Sequence, residues 1–255
     1  MPVRGLVGTF FPRLLALTIM QLVLDIGLAP EPSFARFLPA GNEAAVQCLQ
    51  QGVAALAAAQ SDALLPVYLW GSPGTGKTHL LHAVARALQA QGQAVGWLGA
   101  DAASGGEEFS PHWRAVLLDD VQAYDSQRQQ RAFNWWINAR HRSSGEAPCW
   151  VVAAGSLPPV DLPLREDLRT RLGSGLSFEL QPLSDAQRQQ VLQSQAQERG
   201  LHLSDEAAQY LLNRFARDLS SLSALLTRLD VHALRTQRAL TIPLLREVLQ
   251  EQAER

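Results

Sequence analysis

The sequence predicts an α/β fold: a P-loop parallel sheet with helices on both faces, followed by a small all-helical domain. Three observations predict it. From Leu65 to about residue 180, short apolar runs bounded by glycine alternate with longer amphipathic segments, as in strand–helix–strand units on a parallel sheet. A GxxxxGK[ST] segment lies between the first such strand and the first such helix. After Pro182 the strand pattern stops and only helical spacing continues.

Strands are expected at 66–70, 94–98, 115–118, 150–154 and 176–180. Helices are expected at 78–91, ended by Gly92, and at 127–142, ended near Gly145. Four more helices follow at 184–199, 204–216, 219–236 and 242–254, the first two opening with a Ser-Asp pair suited to N-capping. The chain divides accordingly into a leader at 1–33, an α/β domain at 34–182 and a helical domain at 183–255. The aromatic run in the 127–142 helix cannot face one stripe, so core packing is expected for Phe133 and for Trp136 or Ile137, with one tryptophan left exposed as a contact surface.

Composition narrows the function. At 255 residues, 47% hydrophobic and 18% charged, the chain buries a core without disulfides or metals. A formal net charge of −2 excludes polybasic binding to a nucleic-acid backbone. Cys48 and Cys149 form no CxxC and no zinc pattern, which fits a reducing cytoplasm. The apolar run around 14–20 is too short to span a bilayer, for which roughly 20 residues are needed. Residues 1–19 read as an extension upstream of a second possible start at Met20, and Met1 remains the alternative.

The 22 basic residues are 21 arginines and one lysine, Lys77. That lysine stands in Gly71-Ser72-Pro73-Gly74-Thr75-Gly76-Lys77-Thr78, after a strand and at the start of a helix. Gly71, Gly74 and Gly76 let backbone N–H groups, with that of Thr75, surround a phosphate, and the helix N-terminus adds partial positive charge. Lys77 then bridges the β- and γ-phosphates of a nucleotide, and the Thr78 hydroxyl ligates Mg²⁺. A second magnesium anchor follows in Val116-Leu117-Leu118-Asp119-Asp120: Asp119 holds Mg²⁺ through water, and Asp120 orients or deprotonates the attacking water.

The segments GSPGTGKTHL, LLDDVQ, VVAAGSLPP and LRTRLGSGLSFEL, in that order, resemble the nucleotide-binding module of the bacterial replication initiator DnaA, an AAA+ family, from about Phe34 to the C-terminus. The resemblance implies bound ADP or ATP with Mg²⁺. It implies that Ser156, where the family usually has aspartate, occupies the γ-phosphate-reading position; serine is shorter and uncharged, which puts sensing and hydrolysis there in question. It also implies that Arg171, with Arg169 as its nearest competitor, is the arginine finger reaching a neighbouring subunit's nucleotide, and that Arg217 is the lid arginine facing the nucleotide.

No helix-turn-helix domain is expected after the 242–254 helix, a layout resembling the family's clamp-dependent regulators of the initiator. The leader agrees. Gln21, Leu22, Leu24 and Ile26 fit the family's short clamp-binding peptide, just ahead of a proline-marked stretch (Pro30, Pro32, Pro39) expected to lie outside the core. The implied partners are the initiator DnaA, the sliding clamp (the β subunit of DNA polymerase III), DNA indirectly through that clamp, and further copies in a homo-oligomer, with no membrane. The function so implied is stimulation of the initiator's ATP hydrolysis. An autonomous AAA+ ATPase, acting as a helicase loader or DNA-remodelling motor, is the alternative.

Overall fold

The computed structural model describes residues 31–58, 64–100, 108–141 and 149–214, together with Leu222, Leu225, Leu226, Thr227, Leu229 and Leu245. Its elements run α1 (Glu43–Ala57), β1 (Val67–Trp70), α2 (Lys77–Gln89), β2 (Ala94–Leu98), β3 (Trp113–Leu118), α3 (Ser126–Arg140), β4 (Trp150–Gly155), α4 (Glu166–Leu172), β5 (Leu176–Glu179), α5 (Asp185–Glu198) and α6 (Asp205–Arg214). The sheet is wholly parallel in the order β2-β3-β4-β1-β5. β4 therefore lies between β1 and β3, so the chain ends of all three emerge side by side. Open α/β sheets bind ligands at that kind of switch in strand order.

Both faces of the sheet are covered, and the alternation of side chains shows how. Val67, Leu69, Leu117, Trp150, Val152 and Ala154 point to the face packed by α1 and α2. Tyr68, Val116, Leu118, Val151 and Ala153 point to the other face, packed by α3 and α4. Strands buried on both sides read as continuous apolar runs, which is why the period-2 signal was weak and the glycine boundaries carried the assignment. A third cluster, Leu192, Ala196, Leu203, Ala207, Ala208 and Leu211 with Leu222, Leu225, Leu226, Leu229 and Leu245, makes the core of the helical lid.

Local chemistry sets the boundaries. Gly92, at φ 72°, ends the turn after α2, and the Gln93 N–H returns to the Leu88 carbonyl. Ser184 caps α5 reciprocally with Gln187, and the Ser204 hydroxyl accepts from the Ala207 N–H at the start of α6. α3 ends earlier than expected, at Arg140.

Two expectations are corrected. Trp135 and Trp136 are both buried, at 3% exposure each, because α3 is sandwiched between the sheet and α4 and Trp135 meets Trp113 edge-on at 4.7 Å. No tryptophan of α3 is left as a contact surface; Phe133 is the partly exposed ring. The proline-marked stretch is not wholly outside the core either, since Phe34 and Phe37 pack against the α1–α2 side. The helices α1 and α4 had no counterpart in the expected elements. Among the described residues, no helix is long and apolar enough to cross a membrane.

Candidate functional site

Residues 71–76 form the turn between β1 and α2. Gly71, Gly74 and Gly76 have φ of 143°, 81° and 91°, values that side-chain-bearing residues avoid. At Gly71 a Cβ would also lie 2.7 Å from the Leu180 carbonyl oxygen, and at Gly76 2.6 Å from the Phe37 ring. The loop thus closes tightly against its surroundings while its interior stays lined by backbone.

Lys77 enters that interior. It is 7% exposed, and its Nζ donates to the carbonyl oxygens of Gly71 and Ser72 at 2.8 and 2.9 Å. Burial pushes its pKa down, while the Asp120 and Asp119 carboxylates pull it up. The cation is therefore poised in a sparsely hydrated cradle, where an anion gains most from it. The loop and the two aspartates come together as the motif predicts.

Asp119 follows β3 and is 5% exposed. Its backbone N–H donates to Leu98 at 2.8 Å. Burial raises its pKa, opposed by a hydrogen bond from the Thr78 hydroxyl. A buried carboxylate held beside a hydroxyl suits a hard divalent cation. Among the described residues no group of three or more His, Cys, Asp or Glu could hold a metal alone, so a cation here would need phosphate and water as its remaining ligands, the habit of Mg²⁺.

Asp120 is half-buried, with φ 50° and ψ 45°. That left-handed turn swings the chain out of the strand, and the Asp120 N–H donates to Asp119 Oδ1 at 3.0 Å. Gln122 Nε2 donates to Asp120 Oδ1 at 3.2 Å, and Gln122 Oε1 accepts from the Ser156 N–H at 3.0 Å. Ser156 stands at the tip of β4, beside Gly155. Gln122 closes the LLDDVQ segment but was given no role from sequence; its contact to Ser156 spans 34 positions and exists only because β3 and β4 are neighbours.

Arg171 lies on α4, its guanidinium carbon 5.0 Å from the centroid of the Phe133 ring, with Arg165 stacked at 5.8 Å on the same ring. Gln129 Oε1 accepts from the Arg165 N–H at 3.0 Å, and Gln130 Oε1 accepts from its guanidinium, so α3 fixes the start of α4. Arg165, Thr170, Arg171 and Ser174 line an open concavity with Glu166 and Asp167. Arg169 is not among its walls. Arg217 and the peptide residues Gln21, Leu22, Leu24 and Ile26 lie outside the described residues.

Two further groups missed in the sequence frame the loop. His79, in the first turn of α2, hydrogen-bonds the Ser33 carbonyl at 2.9 Å and sits 5.8 Å from Phe37. Asn42, 3% exposed, donates to the Gln181 carbonyl and accepts from the Gln181 N–H. Their signals were weak because each pairs with a distant segment.

Comparison with known families adds to this geometry. Residues 185–249 match the model for the Hda lid domain, residues 28–103 that for the bacterial DnaA ATPase domain, and residues 67–174 that for the ATPase family associated with various cellular activities, AAA. The fold is similar to domain III of the Thermotoga maritima replication initiation protein DnaA, with TM-score 0.64 and 20% identity over 84% of this chain and 93% of that one. It is also similar to AMPPCP-bound DnaA from Aquifex aeolicus, with TM-score 0.57 and 25% identity over 72% and 60% of the two chains. A DNA replication initiation factor gives 0.61 and 21% over 79% and 65%, so the chain spans less than two thirds of the length of these last two. The phosphate loop, the Asp119–Asp120 strand end and the helical end thus fall in the order in which these models follow one another, and the chain is similar to DnaA-type AAA ATPases in its α/β part and to the Hda lid domain in its helical part.

Proposed function

We propose that this protein is a nucleotide-bound regulator of chromosomal replication initiation that, with the DNA-loaded sliding clamp, stimulates ATP hydrolysis by the initiator DnaA and leaves it in the inactive ADP form. The observation that carries the reading is an Hda-type lid following a DnaA-type ATPase segment in one chain. The 71–78 loop would hold ADP or ATP through backbone N–H groups and Lys77, with Mg²⁺ between Thr78, Asp119 and the phosphates. Arg171, stacked on Phe133 at an open concavity, would present its guanidinium to a neighbouring subunit's nucleotide and stabilise charge on the transferring phosphoryl group. Such fingers contribute roughly 10³–10⁵ in rate where they act. Arg217 would face the nucleotide from the lid, and Gln21, Leu22, Leu24 and Ile26 would tether the chain to the clamp.

The test is hydrolysis by purified initiator, with and without this protein and DNA-loaded clamp. Stimulation should require the clamp and should vanish in a Gln21→Ala/Leu22→Ala/Leu24→Ala variant and in Arg171→Ala. Full stimulation by Arg171→Ala with clamp binding intact would remove the finger role. The retained Lys77, Asp119 and Asp120 favour one second reading, an autonomous ATPase acting as a helicase loader or DNA-remodelling motor. Strong turnover by this chain alone, stimulated by DNA, would establish it instead.

A further inference from the structure

Gln122 is used from both ends of its carboxamide: Nε2 donates to Asp120 Oδ1 at 3.2 Å and Oε1 accepts from the Ser156 N–H at 3.0 Å. The fold enforces this reach. One turn of 3-10 helix, Val121–Ala123, starts directly after the left-handed Asp120, and the β4 tip opposite is pinned in place. At Gly155 a Cβ would lie 2.2 Å from the Tyr68 hydroxyl and 3.2 Å from Gln122 Oε1, so only glycine leaves room for the bridge. The Tyr68 hydroxyl itself donates to the Leu157 carbonyl at 2.7 Å. The segment 155–157 is thus held by one side chain from β1 and one from the turn after β3.

The bridge borders the phosphate loop, since Gly155 pairs with Trp70, the residue directly before the loop, and β3, which leads into Asp120 and Gln122, lies on the other side of β4. A carboxamide carries two N–H donors, and Asp120 uses one. At the β4 tip the side chain is a serine, whose hydroxyl stands one bond from Cβ. The longer Gln122 arm spans the same gap from the neighbouring strand.

The geometry points to Gln122 as a positioning residue that makes this site distinguish a nucleoside triphosphate from a diphosphate, by holding the Asp120 carboxylate in register with the β4 tip and offering its remaining N–H toward the terminal phosphate. This rests on the reading of residues 71–78 as a nucleotide site. A diphosphate stops short of the bridge and does not feel it; a triphosphate meets it.

Equilibrium titration of the full chain with fluorescent ADP and with a fluorescent non-hydrolysable ATP analogue, both with Mg²⁺, tests it in wild type, Gln122→Met and Gln122→Glu. Methionine keeps the length and loses both hydrogen bonds. Glutamate keeps the acceptor for the Ser156 N–H, loses the donor and adds charge beside Asp120. ADP affinity should stay within about twofold of wild type in both variants. Affinity for the triphosphate analogue should fall about tenfold in Gln122→Met, the scale of one hydrogen bond to a charged group, and at least as far in Gln122→Glu. An unchanged ratio of the two dissociation constants in both variants overturns the inference, and a fall in ADP affinity matching that for the analogue does so too. Should Gln122→Met melt early, Gln122→Glu decides. Failure of wild type to bind either nucleotide overturns the nucleotide-site reading itself, and that outcome is visible before any variant is made.

Discussion

Lys77 and His79 stand two positions apart on the first turn of α2, and burial acts on both by disfavouring their charged forms. For Lys77 that cost is useful only if an anion arrives. Lys77→Ala should therefore weaken binding of ADP and of a triphosphate analogue by at least about tenfold, the value of losing one charge-assisted contact, read by the same fluorescence titration. For His79 the consequence is a pH dependence. Its folded-state pKa lies below the ordinary value near 6.5, so below about pH 6.5 the unfolded chain takes up a proton that the folded chain resists. Stability contributed by neutral His79 is present above that pH and is lost as pH falls through it. Melting temperatures at about pH 7.5 and about pH 5.5 should differ less in His79→Gln than in wild type, with His82, shifted the same way by burial, retaining its own part. Equal acid sensitivity of the two proteins would remove His79 from this account. Lys77, Asp119 and Asp120 were legible in the sequence because their chemistry is encoded in contiguous residues with a strand before and a helix after. His79, Asn42 and Gln122 were not, because their partners are 46, 139 and 34 positions away.

At the scale of elements, the strands and the helices α2, α3, α5 and α6 were legible from glycine boundaries and Ser-Asp caps, whereas the short α4 and the long α1 were not; for α1 the sequence itself misleads. A glycine at mid-helix lowers any helical reading, and Gly52 supplies one. The reason for it lies 98 positions on: a Cβ there would fall 2.4 Å from the Trp150 ring, and that ring is fixed by its Nε1–H donating to the Leu65 carbonyl at 2.9 Å. Helix propensity alone says that Gly52→Ala should stabilise by roughly 0.5–1 kcal/mol. Overpacking against an immobile, 1%-exposed tryptophan costs about 1–3 kcal/mol, so the larger effect wins and the variant should be destabilised in urea unfolding. A stabilised Gly52→Ala would mean that Trp150 can yield. The same logic applies to α3, whose Phe133 ring carries two guanidinium groups. Phe133→Leu retains an apolar side chain but removes the π-face, worth about 0.5–1 kcal/mol at such a site. Under the proposed function, initiator hydrolysis assayed with clamp should drop only a fewfold, much less than in Arg171→Ala.

The whole molecule joins an α/β body to a helical lid through residues 180–184, between the end of β5 and the start of α5. The strand order around this joint was not legible, since alternating strands and helices specify a parallel sheet but not that β4 inserts between β1 and β3. The pairing of β5 with the other edge of β1 places the phosphate loop next to the joint. The Leu180 N–H donates to the Trp70 carbonyl at 2.7 Å, the Leu180 carbonyl lies against Gly71, and the Gly71 carbonyl accepts from Lys77. Gln181 is then clasped on both its N–H and its C=O by Asn42, at 2.7 and 3.1 Å. A second tie, Arg36 to Glu198 at 3.1 Å, reaches α5 from the segment before α1. These ties are unequal. Exposed ion pairs contribute about 0–1 kcal/mol, whereas stripping a partner from two part-buried backbone groups costs about 1–3 kcal/mol. Asn42→Ala should therefore loosen the joint, and Arg36→Ala should hardly do so. Limited proteolysis read by fragment mass should show faster cutting within residues 181–184 in Asn42→Ala, with the sheet-bearing fragment surviving because its two cores do not depend on this contact. Cutting at the wild-type rate in Asn42→Ala, or equally fast cutting in Arg36→Ala, would show that the Asn42 clasp does not set the lid against the loop.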